Sequence, residues 1–110
     1  MATQANITVD QGSDFLVDID LTDNTGAAMD LSGHSVAGTI KKSYTSSNSV
    51  SFTASVSDAE NGIITLSLTN AQTSTMKSGR YVYDVEITDT VNTTVTRVLE
   101  GQVYVTPSVT

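Results

Sequence analysis

Two runs towards the C-terminal end of the chain, 79–89 (GRYVYDVEITD) and 94–105 (TVTRVLEGQVYV), constrain the fold most strongly. In the first, Tyr81, Tyr83, Val85 and Ile87 alternate with Val82, Asp84, Glu86 and Thr88. That is the period of two of a strand with one buried face, and no helix can use it. The polar break between the runs makes them the arms of one long antiparallel hairpin. An apolar face of this length must be covered, so the upstream chain has to supply a second layer.

The upstream sequence has the same period. Phe15, Val17, Ile19 and Leu21 oppose Asp14, Leu16, Asp18 and Asp20, while Val36, Gly38 and Ile40 oppose Ala37, Thr39 and Lys41. Val50, Phe52, Ala54 and Val56 form a further inward face, and Ile64, Leu66 and Leu68 another. Ile7-Thr8-Val9 can begin an edge strand, and the small residues Ala37 and Gly38 allow a neighbour to approach closely. Asp10 to Ser13, Thr22 to Gly26, Ser46 to Ser49 and Asp58 to Gly62 carry the Asp, Asn, Ser and Gly of turns. Only 70–79 differs: Asn70 can cap a single helical turn, Ala71 and Met76 can form its apolar side, and Gly79 can end it. About seven strands with one short helical turn near 70–78 predict an all-β chain. The expected architecture is a two-layer antiparallel sandwich, immunoglobulin- or fibronectin-like, with an open barrel or jelly roll as the alternative. Residues 1–6 read as a flexible tail, 7–106 as the sandwich domain, and 107–110 as a C-terminal tail begun by Pro107.

Composition excludes several kinds of function. Without cysteine there is neither a disulfide framework nor a thiolate metal site. Twelve acids against five bases give a net charge of -7, and the bases do not cluster beyond Lys41-Lys42. A phosphate-tracking surface needs a positive stripe, so direct nucleic-acid binding is not expected. No apolar run approaches the roughly 20 residues of a membrane span. The first six residues lack the basic head and apolar core of a secretory signal, so synthesis in the cytoplasm is expected. The matches to the N-glycosylation pattern at Asn6 and Asn92 then read as chance in a Thr-rich chain.

No catalytic constellation is visible. Asp84 and Glu86 are neighbours on one strand face, with no long loops to build a cleft for glycoside hydrolysis; their expected role is solvation, or pairing with Arg97 across the hairpin. His34 is the single histidine and reads as a turn residue. Asp10, Asp14, Asp18, Asp20 and Asp23 are the densest acidic group. A solvated acidic face is expected there, although convergent oxygens could also hold Ca²⁺. No cofactor is implied. Tyr81 and Tyr83 share the apolar face of their strand and read mainly as core, yet a half-buried tyrosine can serve an interface. Arg80, Tyr81, Tyr83, Arg97 and Tyr104 are therefore the candidate contact residues.

The stretches 66–73 (LSLTNAQT), 79–87 (GRYVYDVEI) and 97–107 (RVLEGQVYVTP), with Asp30-Leu31-Ser32-Gly33 before a strand, resemble a module of tailed-bacteriophage virion proteins. It is the small sandwich at the start of phage baseplate upper proteins, found also in assorted virion proteins, including those of cyanophages. The resemblance runs from about Ile7 to Thr110. It implies a non-enzymatic, immunoglobulin-like structural subunit located in the virion, touching capsid, neck or baseplate proteins and present in symmetry-related copies or as a homo-oligomer. Because the chain stops just after Val105-Thr106-Pro107, a capsid decoration (cement) or connector subunit is the expectation. A carbohydrate-binding or host-adhesion module of a fibre or baseplate is the alternative.

Overall fold

The computed structural model describes residues 3–22, 25–45 and 49–109. The strands are β1 (Thr3–Gln4), β2 (Ile7–Asp10), β3 (Phe15–Asp20), β4 (His34–Lys41), β5 (Ser49–Ser51), β6 (Thr53–Asp58), β7 (Ile63–Leu68), β8 (Gly79–Asp89) and β9 (Thr94–Thr106), with one helix, α1 (Asn70–Ser74), between β7 and β8. They form a sandwich of two sheets. The larger has the order β1-β9-β8-β4-β5, with β2 also on β9, and the smaller has the order β3-β7-β6. All pairs are antiparallel except β1 and β2, which run parallel to β9. Taken without β1 and β2, these two orders are those of immunoglobulin-like domains.

The hairpin of β8 and β9 is the spine. Tyr83, Val85 and Ile87 point into the core with exposures of 5% or less, as alternation predicts. They face Ile64, Leu66 and Leu68 of β7, also almost fully buried. Phe52 bridges the layers: its ring lies 6.3 Å from Phe15 and 6.1 Å from Tyr83, the latter edge-on. Gly38 makes room for it, since a Cβ there would come within 2.9 Å of the Phe52 ring. Tyr81 opens β8 and donates its hydroxyl to the Lys77 carbonyl at 2.8 Å. This is the tyrosine corner that fixes the crossover between sheets in such sandwiches.

Four features depart from the expectations. Thr3–Gln4, assigned to a tail, pair with Leu99–Glu100 in the same register by which Ile7 pairs with Val103; Met1 and Ala2 lie outside the described residues. The chain from Val50 to Val56 is not one strand. It changes sheet at Phe52, so β5 pairs with β4 and β6 with β7. Of the break expected before it, Ser46 to Ser49, positions 46–48 lie outside the described residues, while Ser49 already begins β5. In β9 the pairing slips where Val85 opposes Leu99 but Glu86 opposes Arg97. Val98 is the extra residue of this bulge, which lets two consecutive residues, Val98 and Leu99, both be buried.

The fourth difference concerns α1. Its cap is Thr69, not Asn70: the Thr69 hydroxyl accepts from Gln72 N–H while the Gln72 side chain accepts from Thr69 N–H, a reciprocal capping box. Ala71 is exposed, and the helix is seated by Thr73 and anchored beyond its end by Met76, both buried. The Thr73 hydroxyl accepts from Gly12 N–H at 3.1 Å and donates to Ser13 O at 2.9 Å. The Gln11 amide donates to Met76 O, and Asn70 N–H donates to Asp14. This short helix is thus tied to the β2–β3 turn by side-chain hydrogen bonds, while Gly79 begins β8.

Ala5 and Asn6 interrupt the first strand for a specific purpose. The Ala5 carbonyl turns over Gly101 and accepts a 2.6 Å hydrogen bond from the Tyr83 hydroxyl. Ala5 N–H still donates to Glu100 O, and Gln102 N–H donates to the Asn6 side chain. Tyr83 and Gly101 oppose each other in the hairpin, and a Cβ on Gly101 would lie 2.9 Å from the Ala5 carbonyl carbon. Burial pushes the Tyr83 phenol above its ordinary value.

Candidate interaction surface

The outward face of the larger sheet gathers the polar and aromatic residues that the two long strands cannot bury. Register places Arg80 beside Tyr104, Val82 between Gln102 and Lys41, and Asp84 between Glu100 and Thr39. The bulge at Val98 keeps Arg97 on this face beside Glu86. From there its guanidinium reaches Asp84 at 3.4 Å and Glu100 at 3.5 Å. The expected cross-hairpin partnership is therefore made with Asp84 and extended to Glu100. Its side chain is half exposed, so these pairs contribute little to stability and leave the guanidinium accessible.

Tyr44 follows β4 and is 76% exposed. It lines two clefts on this face. One, of about 310 Å³, is bordered by Gln4, Asn6, Glu100 and Gln102; the other, of about 210 Å³, by Lys41, Val82, Asp84 and Arg97. An exposed aromatic ring thus stands between amide, carboxylate and guanidinium groups. The sequence offered no period to single out Tyr44, because it belongs to the loop after the alternating run.

The five candidate contact residues divide. Arg80, Arg97 and Tyr104 lie on the outward face; Tyr104 is 39% exposed and donates its hydroxyl to Gln102. Tyr83 is 3% exposed and committed to Ala5. It is a core residue and cannot meet a partner. Tyr81 is half-buried at the corner, with the Lys42 ammonium 4.6 Å from its ring centroid.

Three of the acidic group, Asp10, Asp14 and Asp18, are employed locally. Asp10 accepts from the Thr106 hydroxyl, Asp14 from Asn70 N–H, and Asp18 from the Thr65 hydroxyl across β3 and β7. Asp23 lies outside the described residues. His34 opposes Asp89 where β4 begins and β8 ends. Hydrogen bonds from Val91 N–H, Asn92 N–H and the Asn92 amide hold the Asp89 carboxyl below its ordinary range, and Ser32 does the same for Asp30. Both carboxylates brace turns at the same end of the sandwich.

A pH dependence follows from those two groups. Their folded pKa values lie below the unfolded one, so the unfolded chain takes up protons first. Their stabilisation is complete above the ordinary carboxylate value of 3.8 and is lost as pH falls through the folded values. Urea midpoints measured between about pH 5 and pH 2.5 should decline, and Asp89→Asn should flatten the decline. An unchanged slope in Asp89→Asn would remove Asp89 from this role.

No protein-family model matches the chain, and no curated protein does. Among solved structures, the chain is similar to InlP from Listeria monocytogenes, with TM-score 0.50 and 16% identity over 96% of this chain and 28% of that one. It is also similar to a family 123 glycoside hydrolase from Clostridium perfringens, with TM-score 0.41 and 13% identity over 96% of this chain and 23% of the hydrolase. The chain spans less than a third of either protein. At its identity, the first likeness is one of fold.

Proposed function

We propose that the chain is a non-enzymatic structural subunit that acts through protein-protein contacts, a decoration or connector subunit of a bacteriophage virion. The observation that carries the contact part of this reading is the outward face of the larger sheet. Tyrosine and arginine are the residue types enriched where proteins meet, and Arg80, Arg97, Tyr44 and Tyr104 stand together there over a frame held by the β8-β9 hairpin. The virion part rests on the sequence resemblance across 66–73, 79–87 and 97–107. The expected result is that mass spectrometry of purified particles finds the protein in many copies, and that Arg97→Glu lowers its occupancy at least about tenfold, as loss of an interface hot spot does. Absence from the particles would overturn the proposal.

The placement of Tyr44 supports a second reading, carbohydrate binding. A sugar ring stacks on an exposed aromatic while amides and carboxylates take its hydroxyls, and Tyr44 has Asn6, Gln102 and Glu100 around one cleft. Binding on a glycan array that Tyr44→Ala abolishes would favour this reading; binding that Tyr44→Ala leaves intact would dismiss it.

A further inference from the structure

A groove of about 440 Å³ lies between the β4-β5 edge and the link leading into β8. Its floor is apolar, made by Ile40, Val50, Met76 and Tyr81, and Lys42 and Lys77 line it with no acidic side chain among its walls. Among the described residues the ion pairs belong to Arg97, so neither lysine has a carboxylate partner there. A chain of net charge -7 thus places two of its five bases around one apolar hollow. The complementary object is an apolar side chain flanked by carboxylates.

The same chain presents such an object. Leu16 is 70% exposed on β3, an edge strand of the smaller sheet. Asp14 and Asp18, two positions to either side, emerge on its face of the strand. Both are steadied, Asp14 by Asn70 N–H at 2.7 Å and Asp18 by the Thr65 hydroxyl at 2.7 Å. Because β6 packs against β4, β3 lies towards the far edge of the sandwich, and a copy cannot fill its own groove.

We propose that the Lys42/Lys77 groove receives Leu16, with Asp14 and Asp18, of a second copy of this chain. The proposal rests on the assembly reading above and specifies how copies meet. Knob and groove are different surfaces, so a two-fold pair makes the contact twice, and a ring makes it once per neighbour.

Sedimentation of the purified chain over a concentration series tests this contact. The wild type should self-associate, less so as salt screens the charges. Leu16→Asp and the double variant Lys42→Glu/Lys77→Glu should each weaken self-association by at least about tenfold, the loss expected at a hot spot; both sites are at the surface, so folding should persist. Mixing the two variants should restore one contact and give a 1:1 heterodimer, since one partner keeps its groove and the other its knob. A monomeric wild type, variants that associate normally, or a mixture without heterodimer would overturn the contact. So would binding of dodecanoate in the groove of a monomeric protein, which would make the hollow a site for amphiphilic anions. Monomers in solution combined with copies in virions would end the groove proposal alone. Charge-dependent association combined with absence from virions would end the virion reading alone.

Discussion

Phe52→Ala is expected to remove about 4 kcal/mol of unfolding free energy, the largest loss for any single truncation in this core. The ring is 6% exposed and joins Phe15 of the smaller sheet to Tyr83 of the larger, so its loss opens a void that neither sheet can close without moving. Domains of this size have roughly 5–15 kcal/mol to lose, and the urea midpoint should fall accordingly. A second substitution checks the cause. Gly38→Ala alone should destabilise, because its Cβ meets the Phe52 ring at 2.9 Å; in the Phe52→Ala background it should cost less, with only the 3.3 Å contact to Val85 left to accommodate. Additive losses in the double variant would show that the two positions do not share the space assigned to them.

Gly101→Ala is the second large effect, at about 3 kcal/mol, the upper range for forcing atoms into a filled site. The obstacle is the backbone carbonyl of Ala5, which cannot swing aside as a flexible side chain can, and which the Tyr83 hydroxyl holds in place. The chain's easiest relief is to release its first strand. Amide exchange should therefore rise at Ala5 and Gln102, which donate across this junction, before it rises in β7. Uniform loss of protection across both sheets would mean that the N-terminal strand is not a separate unit of stability.

The period of two in the sequence carries most of the architecture. The inward faces of β3, β7 and β8 follow it residue by residue, because each buries one face of a sheet and local alternation encodes that directly. What escaped reading depended on partners distant in sequence. Nothing around Thr3–Gln4 announces a strand; its pairing is decided by Leu99–Glu100. The change of sheet at Phe52 leaves the alternation of Val50, Phe52, Ala54 and Val56 undisturbed, since both layers ask for the same inward face. Thr73 looked like one polar residue among many, and only the β2–β3 turn makes its hydroxyl a buried anchor.

Of the candidate contact residues, the buried phase of β8 favours a core role for Tyr83, and the register of β8 and β9 puts Arg80 and Tyr104 side by side on the outward face. One visible signal was the adjacent Val98-Leu99 pair within an alternating run. Two successive apolar residues there mark a bulge, and this bulge carries Arg97 to the face where it meets Asp84. Tyr44 and the lysine-lined groove had no such signal, because a loop and a hollow between elements have no period.

The parallel lock of β1 and β2 on β9 also sets an order of events. Asn6 and Gln102, joined by a hydrogen bond, are 96 positions apart, so β1 and β2 are made long before β9, the strand they pair with. Until β9 is in place the Ala5 N–H lacks the Glu100 carbonyl it donates to, and the Ala5 carbonyl lacks the Gly101 position it turns over. Closing this edge is thus a contact of very long sequence separation, the kind whose loop-closure entropy must be overcome before the pairing contributes.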